Sequence, residues 1–508
     1  MKRYIPVLLA ALMCFTFFAC SRTEEQYEEP ETTAVELTEP TVIEKNITLG
    51  YYEDKALNPF TTDSPANRNL TTLIYDSLYI LDKSYSPVAV IAESSQREGN
   101  TVSVKIREGL IFSNGAPITT YDVANSFDAA KQSTYYGSRL QNIAYATPLS
   151  DRVVFTLIQE DIYCESVLTF PVVQSGTAGT ELPVGSGRYT LTVTDEGKQL
   201  IANPDNSRGQ SLSTETILLT PVTSQKNELY ELQSGGLSYF FDDLSDSDYT
   251  KIGANTVQVP MNNLVFVGIN SFSEVFTDAA VKNAVTTAIN SKTMADSVFS
   301  GMCRYAATPF NPDWYAAQHL SFEPDAASLT AAQELLEEAG YVYAYENNQY
   351  RSKDFEYLVI TLIVNKESTD KVNCASYIHD TLEAAGVDVE LKLLSYDEYI
   401  SALKAGKYDL YVGEVKLSAS MDLSCFFSEG GSLSYGIDTQ STVAASYMDF
   451  RSGTTDISTF ARVFEQTKPF IPVCYRDGMA YFSREFTFEG DITEYEPFLN
   501  ASTWKTVR

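Results

Sequence analysis

The sequence predicts an α/β protein, and three observations carry that reading. Residues 355–412 run strand–helix–strand–helix–strand: apolar Phe355–Asn365, helical Ala375–Ala385, alternating Val387–Leu393, a helix from Ser395 to Ala405, then apolar Tyr408–Val412. Single helices between strands imply right-handed crossovers and a mostly parallel sheet. Three helices in this half stop at a glycine (Gly340, Gly386 and Gly406), the residue that most readily takes the left-handed conformation at a helix end. Finally, 508 residues with 44 % apolar and 20 % charged side chains can bury a substantial core.

The other elements follow in chain order. Asn46–Tyr52 reads as a strand leading into Leu57-Asn58-Pro59-Phe60, where Asn-Pro signals a turn. Leu70, Leu73, Ile74, Leu78 and Leu81 recur at helical spacing and predict a helix over 70–81. Thr101–Arg107 alternates as a half-buried strand does. Asn114-Gly115 marks a turn, and Thr120 is the predicted N-cap of a helix with Val123, Phe127 and Ala130 on one face. Arg152–Ile158 is a strand, and Pro183–Tyr189 is a glycine turn feeding a strand at Tyr189–Val193. Leu264–Asn270 is strand-like, and Ala279–Ile289 and Ser328–Ala339 are helical. No repeat of fixed period is present.

Charge narrows the function. With 36 Lys+Arg against 67 Asp+Glu the net charge is −31, which excludes a phosphate-backbone binder and a protein held on anionic lipid by charge alone. The two histidines, His319 and His379, stand far apart, so neither a His-based zinc site nor a Ser-His-Asp triad is expected. Cys164, Cys303, Cys374, Cys425 and Cys474 form no C-x-x-C. No metal, no cofactor and no enzymatic activity are predicted. An anchored hydrolase is the rival class; Asp242 and Asp243 are adjacent carboxylates that point apart, and no strand-end acid pair stands out.

The N-terminus reads as an export signal. Met1-Lys2-Arg3 is basic, Ile5–Ala19 is apolar, and the chain turns polar after Cys20. Phe17-Phe18-Ala19-Cys20 resembles a bacterial lipoprotein signal, with Phe where Leu is usual. The resemblance implies cleavage after residue 19, lipidation at Cys20 and a protein anchored on the extracytoplasmic side of the cell membrane. Residues 21–44, with eight Glu and five Thr, read as an acidic flexible tether completing a 20–44 segment.

A series of motifs then resembles family 5 of the bacterial extracellular solute-binding proteins, the oligopeptide-, dipeptide- and nickel-type receptors of ABC importers. The series comprises Leu57-Asn-Pro-Phe60, Tyr75-Asp-Ser-Leu-Tyr79, Arg107–Phe127 with its Gly-x-Pro and Asp-Val, Gly185-Ser-Gly-Arg-Tyr189, Val281–Asn290, Ala332–Tyr341 and Tyr408-Asp-Leu410. Arg188 stands where the family pattern has Pro. The resemblance implies a two-lobed periplasmic-binding-protein-like fold, of the type II, large three-subdomain form, with a hinge and an inter-lobe cleft. It implies lobe one at 45–260, rejoined by 476–508, and lobe two at 261–475. It further implies a monomer that captures a small solute, foremost a peptide, and hands it to permease subunits with their ATPase. A sensor of the same fold that signals instead is the alternative.

In peptide-binding relatives an Asp near a Trp, soon after the Tyr-Asp-Leu strand, pairs with the peptide's amino terminus. Alignment on Phe426-Phe427 puts those positions near Ala419 and Lys416, so the clamp is not kept. Glu414, Lys416 and Asp422 are the expected polar contacts in its place. Tyr51, Tyr52, Tyr75, Tyr135 and Tyr136 cluster in lobe-one segments, and Tyr435 lies beyond Gly430-Gly431; aromatics with a polar tip suit a closed pocket. Tyr52, Tyr75, Tyr136 and Tyr435, with Asn58 and Asn270, complete the expected ligand set.

Overall fold

Most of the expected elements form where the local pattern places them, and their caps show why. In a computed structural model, residues 46–195, 197–244, 252–320, 328–345 and 348–506 are described. The export signal at 1–19, Cys20 and the tether to 44 lie outside them. Ser328 accepts from the Ala331 N–H and starts Leu329–Glu338. Ser395 and Glu398 form a capping box before Tyr396–Lys404.

Several boundaries differ from the sequence reading: the strands expected at Phe355–Asn365, Leu264–Asn270 and Tyr408–Val412 are Val359–Asn365, Asn255–Ile269 and Leu410–Lys416, and three helix boundaries shift as well. The helix expected at 70–81 is Pro65–Ile74, started by the Ser64 cap with proline at its first turn, while Tyr79–Leu81 is a short strand. It stops because the Gly185–Gly187 turn sits on its end. The Gly187 N–H donates to the Ile74 carbonyl at 2.9 Å, and a Cβ on Gly185 would lie 2.3 Å from that oxygen. The next cap is Thr119 rather than Thr120: Asp122 accepts from the Thr119 N–H at 2.8 Å, and the Thr120 hydroxyl is spent on the Leu149 carbonyl. The helix before Gly386 begins at Thr369 and ends at Ala384; its first five residues, Thr369 to Asn373, precede the buried stripe that starts at Cys374.

Eleven strands form one sheet. Ten lie side by side in the order Asp388–Leu394, Val359–Asn365, Leu410–Lys416, Asn255–Ile269, Phe470–Phe482, Tyr239–Asp242, Ile47–Tyr52, Thr216–Val222, Gly197–Ala202 and Tyr189–Thr194. Cys303–Tyr305 pairs with Phe470–Phe482 off this path. The expected parallel pairing holds for 359–365 with both of its neighbours, and for Ile47–Tyr52 with Thr216–Val222. The centre is antiparallel instead, through the long Asn255–Ile269 and Phe470–Phe482 pair. A separate antiparallel sheet holds Ala92–Glu98, Thr101–Ile106, Arg152–Leu157 and Ile143–Pro148.

The apolar core divides along the chain. One cluster gathers Ile47 to Leu219 with Ala480, Phe486, Phe498 and Trp504. Two more gather residues from Leu264 to Tyr475, one around Val265, Ile360 and Ile378, the other around Trp314, Phe426 and Phe460 and joined by Tyr85. The long central pair runs from one group to the other. Its register slips between Pro260 and Asn263, so Met261 and Asn262 bulge out of the ladder opposite Asp477 and Arg476.

Arg188 ties the C-terminal segment to the first cluster. It is fully buried, donates to the Phe498 and Leu499 carbonyls at 2.8 and 2.9 Å, and pairs with Glu496 at 2.9 Å. Arg208 joins Glu496 and binds Asp76 at 2.7 Å. Burial and the neighbouring Arg208 pull the Arg188 guanidinium down to about 10, against the pull of Glu496 and Asp76.

Candidate functional site

The carboxyl end of Leu410–Lys416 is the place to look, because open α/β sheets present ligand groups beyond strand carboxyl ends. There the bulged Asn262 meets the C-terminal segment. Its N–H donates to Glu494 at 2.8 Å, its carbonyl accepts from the Leu417 N–H at 2.9 Å, and its side chain reaches the Tyr495 hydroxyl at 3.3 Å. Lys416 pairs with Glu494 at 2.8 Å and faces Asp243 at 3.9 Å. Burial works against the Lys416 charge, but Glu494 and Asp243 outweigh it and hold the ammonium above its ordinary value.

Opposite stand residues from two helices. Tyr135 belongs to Thr134–Gly137, and Arg139 follows two residues after it. The Arg68 guanidinium, from Pro65–Ile74, lies 3.8 Å from the centre of the Tyr135 ring, and that of Arg139 lies 3.7 Å from it. Two guanidiniums that close to one ring centre occupy its opposite faces. Arg139 also stands 5.3 Å from the Tyr495 ring. Burial raises the Tyr135 phenol, yet Arg139, Arg68 and Lys416 together outweigh that and hold it below the ordinary tyrosine value. A cavity of about 60 Å³ opens here, bordered by Arg68, Tyr75, Tyr135, Tyr136, Arg139 and Tyr495.

The expected residues separate into groups. Tyr75 and Tyr136 border this cavity; Tyr75 is buried, its hydroxyl donating to the Pro183 carbonyl at 3.2 Å. Lys416 reaches the same region from the facing strand. Glu414, two residues earlier, is held by Lys371 at 2.6 Å and Arg476 at 3.4 Å. Burial raises its carboxyl, but these two cations keep it below the usual carboxylate range. Asp422 accepts from the Tyr447 hydroxyl at 2.6 Å and the Ser424 N–H at 2.8 Å. Asn58 spends its amide on the Ala178 and Thr180 carbonyls at 2.8 and 2.7 Å and caps its own turn through Phe60.

Asn270 and Tyr435 lie elsewhere. Both line a larger open cavity of about 700 Å³, together with Phe272, Tyr408 and Asp409. Asn270 pairs with the start of Leu410–Lys416, through the Asp409 carbonyl, and Lys416 is its other end. At ~3.3 Å per residue those ends are about 20 Å apart. The cavity's walls come only from residues 270–436, whereas the smaller one, lined by residues from 68–208 and 494–496, is also approached by Lys416, whose charge is felt at Tyr135. The smaller cleft is therefore the candidate site.

Tyr52 ends Ile47–Tyr52 and donates to Glu228 at 3.2 Å. Burial lifts the Glu228 carboxyl to about 7; Asp242 adds to this and the Tyr52 hydrogen bond opposes it. A carboxyl raised from 4.5 to about 7 on folding gives stability that is complete below 4.5 and is lost as pH rises through 7. Glu228→Gln stays neutral throughout. Relative to it, the unaltered protein is expected to lose up to roughly 3 kcal/mol between pH 4.5 and 8, read from denaturant midpoints of both at each pH. Parallel pH profiles would contradict this.

Arg68, Arg139 and Tyr495 were absent from the sequence-based set. No motif marks them. The one available signal was that Tyr135 and Arg139 stand four apart and share a helical face.

Two apolar groupings joined by a bulged strand pair, with polar side chains facing across the junction, define a two-lobed binding protein. The profile of bacterial extracellular solute-binding proteins, family 5 Middle, matches residues 86–428, and the chain belongs to that family. It is a solute-binding receptor and not an enzyme. It is 20 % identical over 385 residues to the oligopeptide-binding protein AppA of Bacillus subtilis, covering 70 % of each chain. It is 25 % identical over 317 residues to the glutathione-binding protein GsiB of Escherichia coli, covering 58 % of this chain and 61 % of that one. The fold matches the crystal structure of a nickel ABC transporter protein from Bacillus halodurans with a TM-score of 0.75, at 16 % identity, over 91 % of this chain and all of the other. It also matches AppA in complex with a nonapeptide, with a TM-score of 0.59 at 19 % identity, over 91 % of this chain and 99 % of that one.

Proposed function

We propose that this protein is the lipid-anchored, extracytoplasmic substrate-binding subunit of an ABC importer, and that it captures short peptides between its lobes as a monomer. Family membership carries the receptor role. The peptide preference rests on the similarity to an oligopeptide-binding and a glutathione-binding protein. Lobe one is assigned to 45–260 with 476–508 and lobe two to 261–475. Both boundaries coincide with the bulge at Met261-Asn262 and its partner Arg476, which supports a hinge there. Ligand would stabilise the closed arrangement through contacts made only when the lobes meet. Tyr75 and Tyr136, which border the cleft, and Lys416, whose charge is felt at Tyr135 beside it, are the proposed contacts from the expected set.

Native mass spectrometry of protein purified without refolding tests this reading. Released short peptides are the expected result. A bound metal chelate, or an empty protein that takes up no peptide, would overturn the peptide assignment and leave the receptor class standing. The anchor has its own test: Cys20→Ala is expected to move the protein from the membrane pellet to the soluble fraction. A variant that still sediments with membranes would remove the lipid from the account.

A further inference from the structure

We propose that Arg68 and Arg139, clamped on the two faces of Tyr135, receive the free carboxylate of a bound peptide. This rests on the peptide reading above and names the end of the ligand that the cleft recognises.

The argument begins with what these arginines lack. In a chain of net charge −31, carboxylates are abundant. Buried or half-buried guanidiniums elsewhere use them: Arg188 with Glu496, Arg351 with Glu337, Arg451 with Asp161 and Arg476 with Glu414 are examples. Arg97, Arg152, Arg208 and Arg304 are paired too. Arg68 and Arg139 are half-buried, and among the described residues neither forms an ion pair with a carboxylate. Both stand over the Tyr135 ring, and Arg139 also hydrogen-bonds the Tyr135 hydroxyl; a guanidinium has five N–H donors, so edge groups are left to donate.

The surroundings favour an anion. Three cations, Arg139, Arg68 and Lys416, act together at the Tyr135 ring. The nearby carboxylates are committed, since Glu494 takes Lys416 and the Asn262 N–H. Glu496, which also borders the cavity, is likewise taken, by Arg188 and Arg208. The space fits as well: about 60 Å³ holds one or two waters at roughly 30 Å³ each, the scale of a carboxylate group and not of a whole peptide. Planar guanidinium edges match the two oxygens of a carboxylate, and such charge-assisted bonds are about twice as strong as neutral ones.

The experiment uses the full chain and a mixed tripeptide library, prepared once as free acids and once as C-terminal amides. The free acids are expected to bind at least tenfold more tightly. Arg139→Gln and Arg68→Gln are each expected to bring acid affinity close to amide affinity while leaving the amides unchanged. Arg139→Lys, which keeps the charge and loses the fork, is expected to fall between. Equal binding of acids and amides by the unaltered protein would overturn the carboxylate assignment and leave peptide capture intact. Equal weakening of acids and amides in the glutamine variants would show the arginines to be supports of Tyr135, and would also overturn it. Binding of neither library would remove the peptide reading, and this inference with it.

Discussion

Arg188→Leu is expected to destabilise the protein by about 3–5 kcal/mol, the range found when one partner of a buried ion pair is removed. The side chain is fully buried and donates to four acceptors: Glu496 and the carbonyls of Thr72, Phe498 and Leu499. Leucine fills part of the volume and none of the hydrogen bonds. Glu496 would keep Arg208 and the Phe498 carbonyl would keep the Ala501 N–H, but the Leu499 carbonyl would lose the guanidinium. The lesion is local to the join between the Gly185–Tyr189 turn and the C-terminal segment. Hydrogen exchange should therefore quicken first over residues 493–504, below the global transition. A denaturant midpoint within error of the unaltered protein, with unchanged protection there, would show the C-terminal segment to be held by its apolar contacts alone. Those contacts are substantial, since Trp504 packs against Tyr239, Phe486 and Phe498.

Arg451→Met is expected to cost a similar about 3–5 kcal/mol and to loosen the two lobes of the proposed division. Arg451 ends the helix Thr442–Arg451 and pairs with Asp161, which follows the strand Arg152–Leu157 of the separate sheet. It also donates to the Ser420 carbonyl at 2.6 Å, and its guanidinium lies 5.2 Å from the Tyr163 ring. Its charge helps keep Asp422 ionised. Burial raises that carboxyl, but Arg451, Tyr447 and Ser424 hold it below the usual range. Removing the cation takes from Asp161 its ion-pair partner and from Asp422 the charge that most opposes its burial. Two readouts separate stability from closure. The denaturant midpoint should fall, and the radius of gyration without ligand should rise as the lobes part. Asp161→Asn combined with Arg451→Met should cost less than the sum of the single changes, because each already breaks the same pair. Strict additivity would show that the two residues act independently.

In the proposed division the Asp161–Arg451 pair and the Tyr163–Trp314 ring contact, with centroids 4.7 Å apart, join one lobe to the other, and the bulge at Met261-Asn262 interrupts the strands that cross between them. Contacts made only in the closed form set how much of the protein is closed before ligand arrives, and a ligand adds its own differential contacts to that balance.

Much of this molecule was legible in its sequence, and the reason is range. Alternation at Thr101–Ile106 and Asp388–Leu394, capping at Ser328 and Ser395, and glycine at Gly386 are each specified within a few residues, so local reading finds them. The order of motifs was enough to identify the family. What it left open was decided by distances between elements. Asn270 and Lys416 both looked like strand-end ligand groups, but the antiparallel register places them at opposite ends of one strand. Arg188 looked like an odd replacement in a glycine turn, and only the return of Phe498 and Leu499 reveals its partners. Arg68 and Arg139 carry no local mark at all. They meet because the helix Pro65–Ile74 and the turn after Thr134–Gly137 pack on either side of one tyrosine, and packing across the chain is a property of the assembled fold.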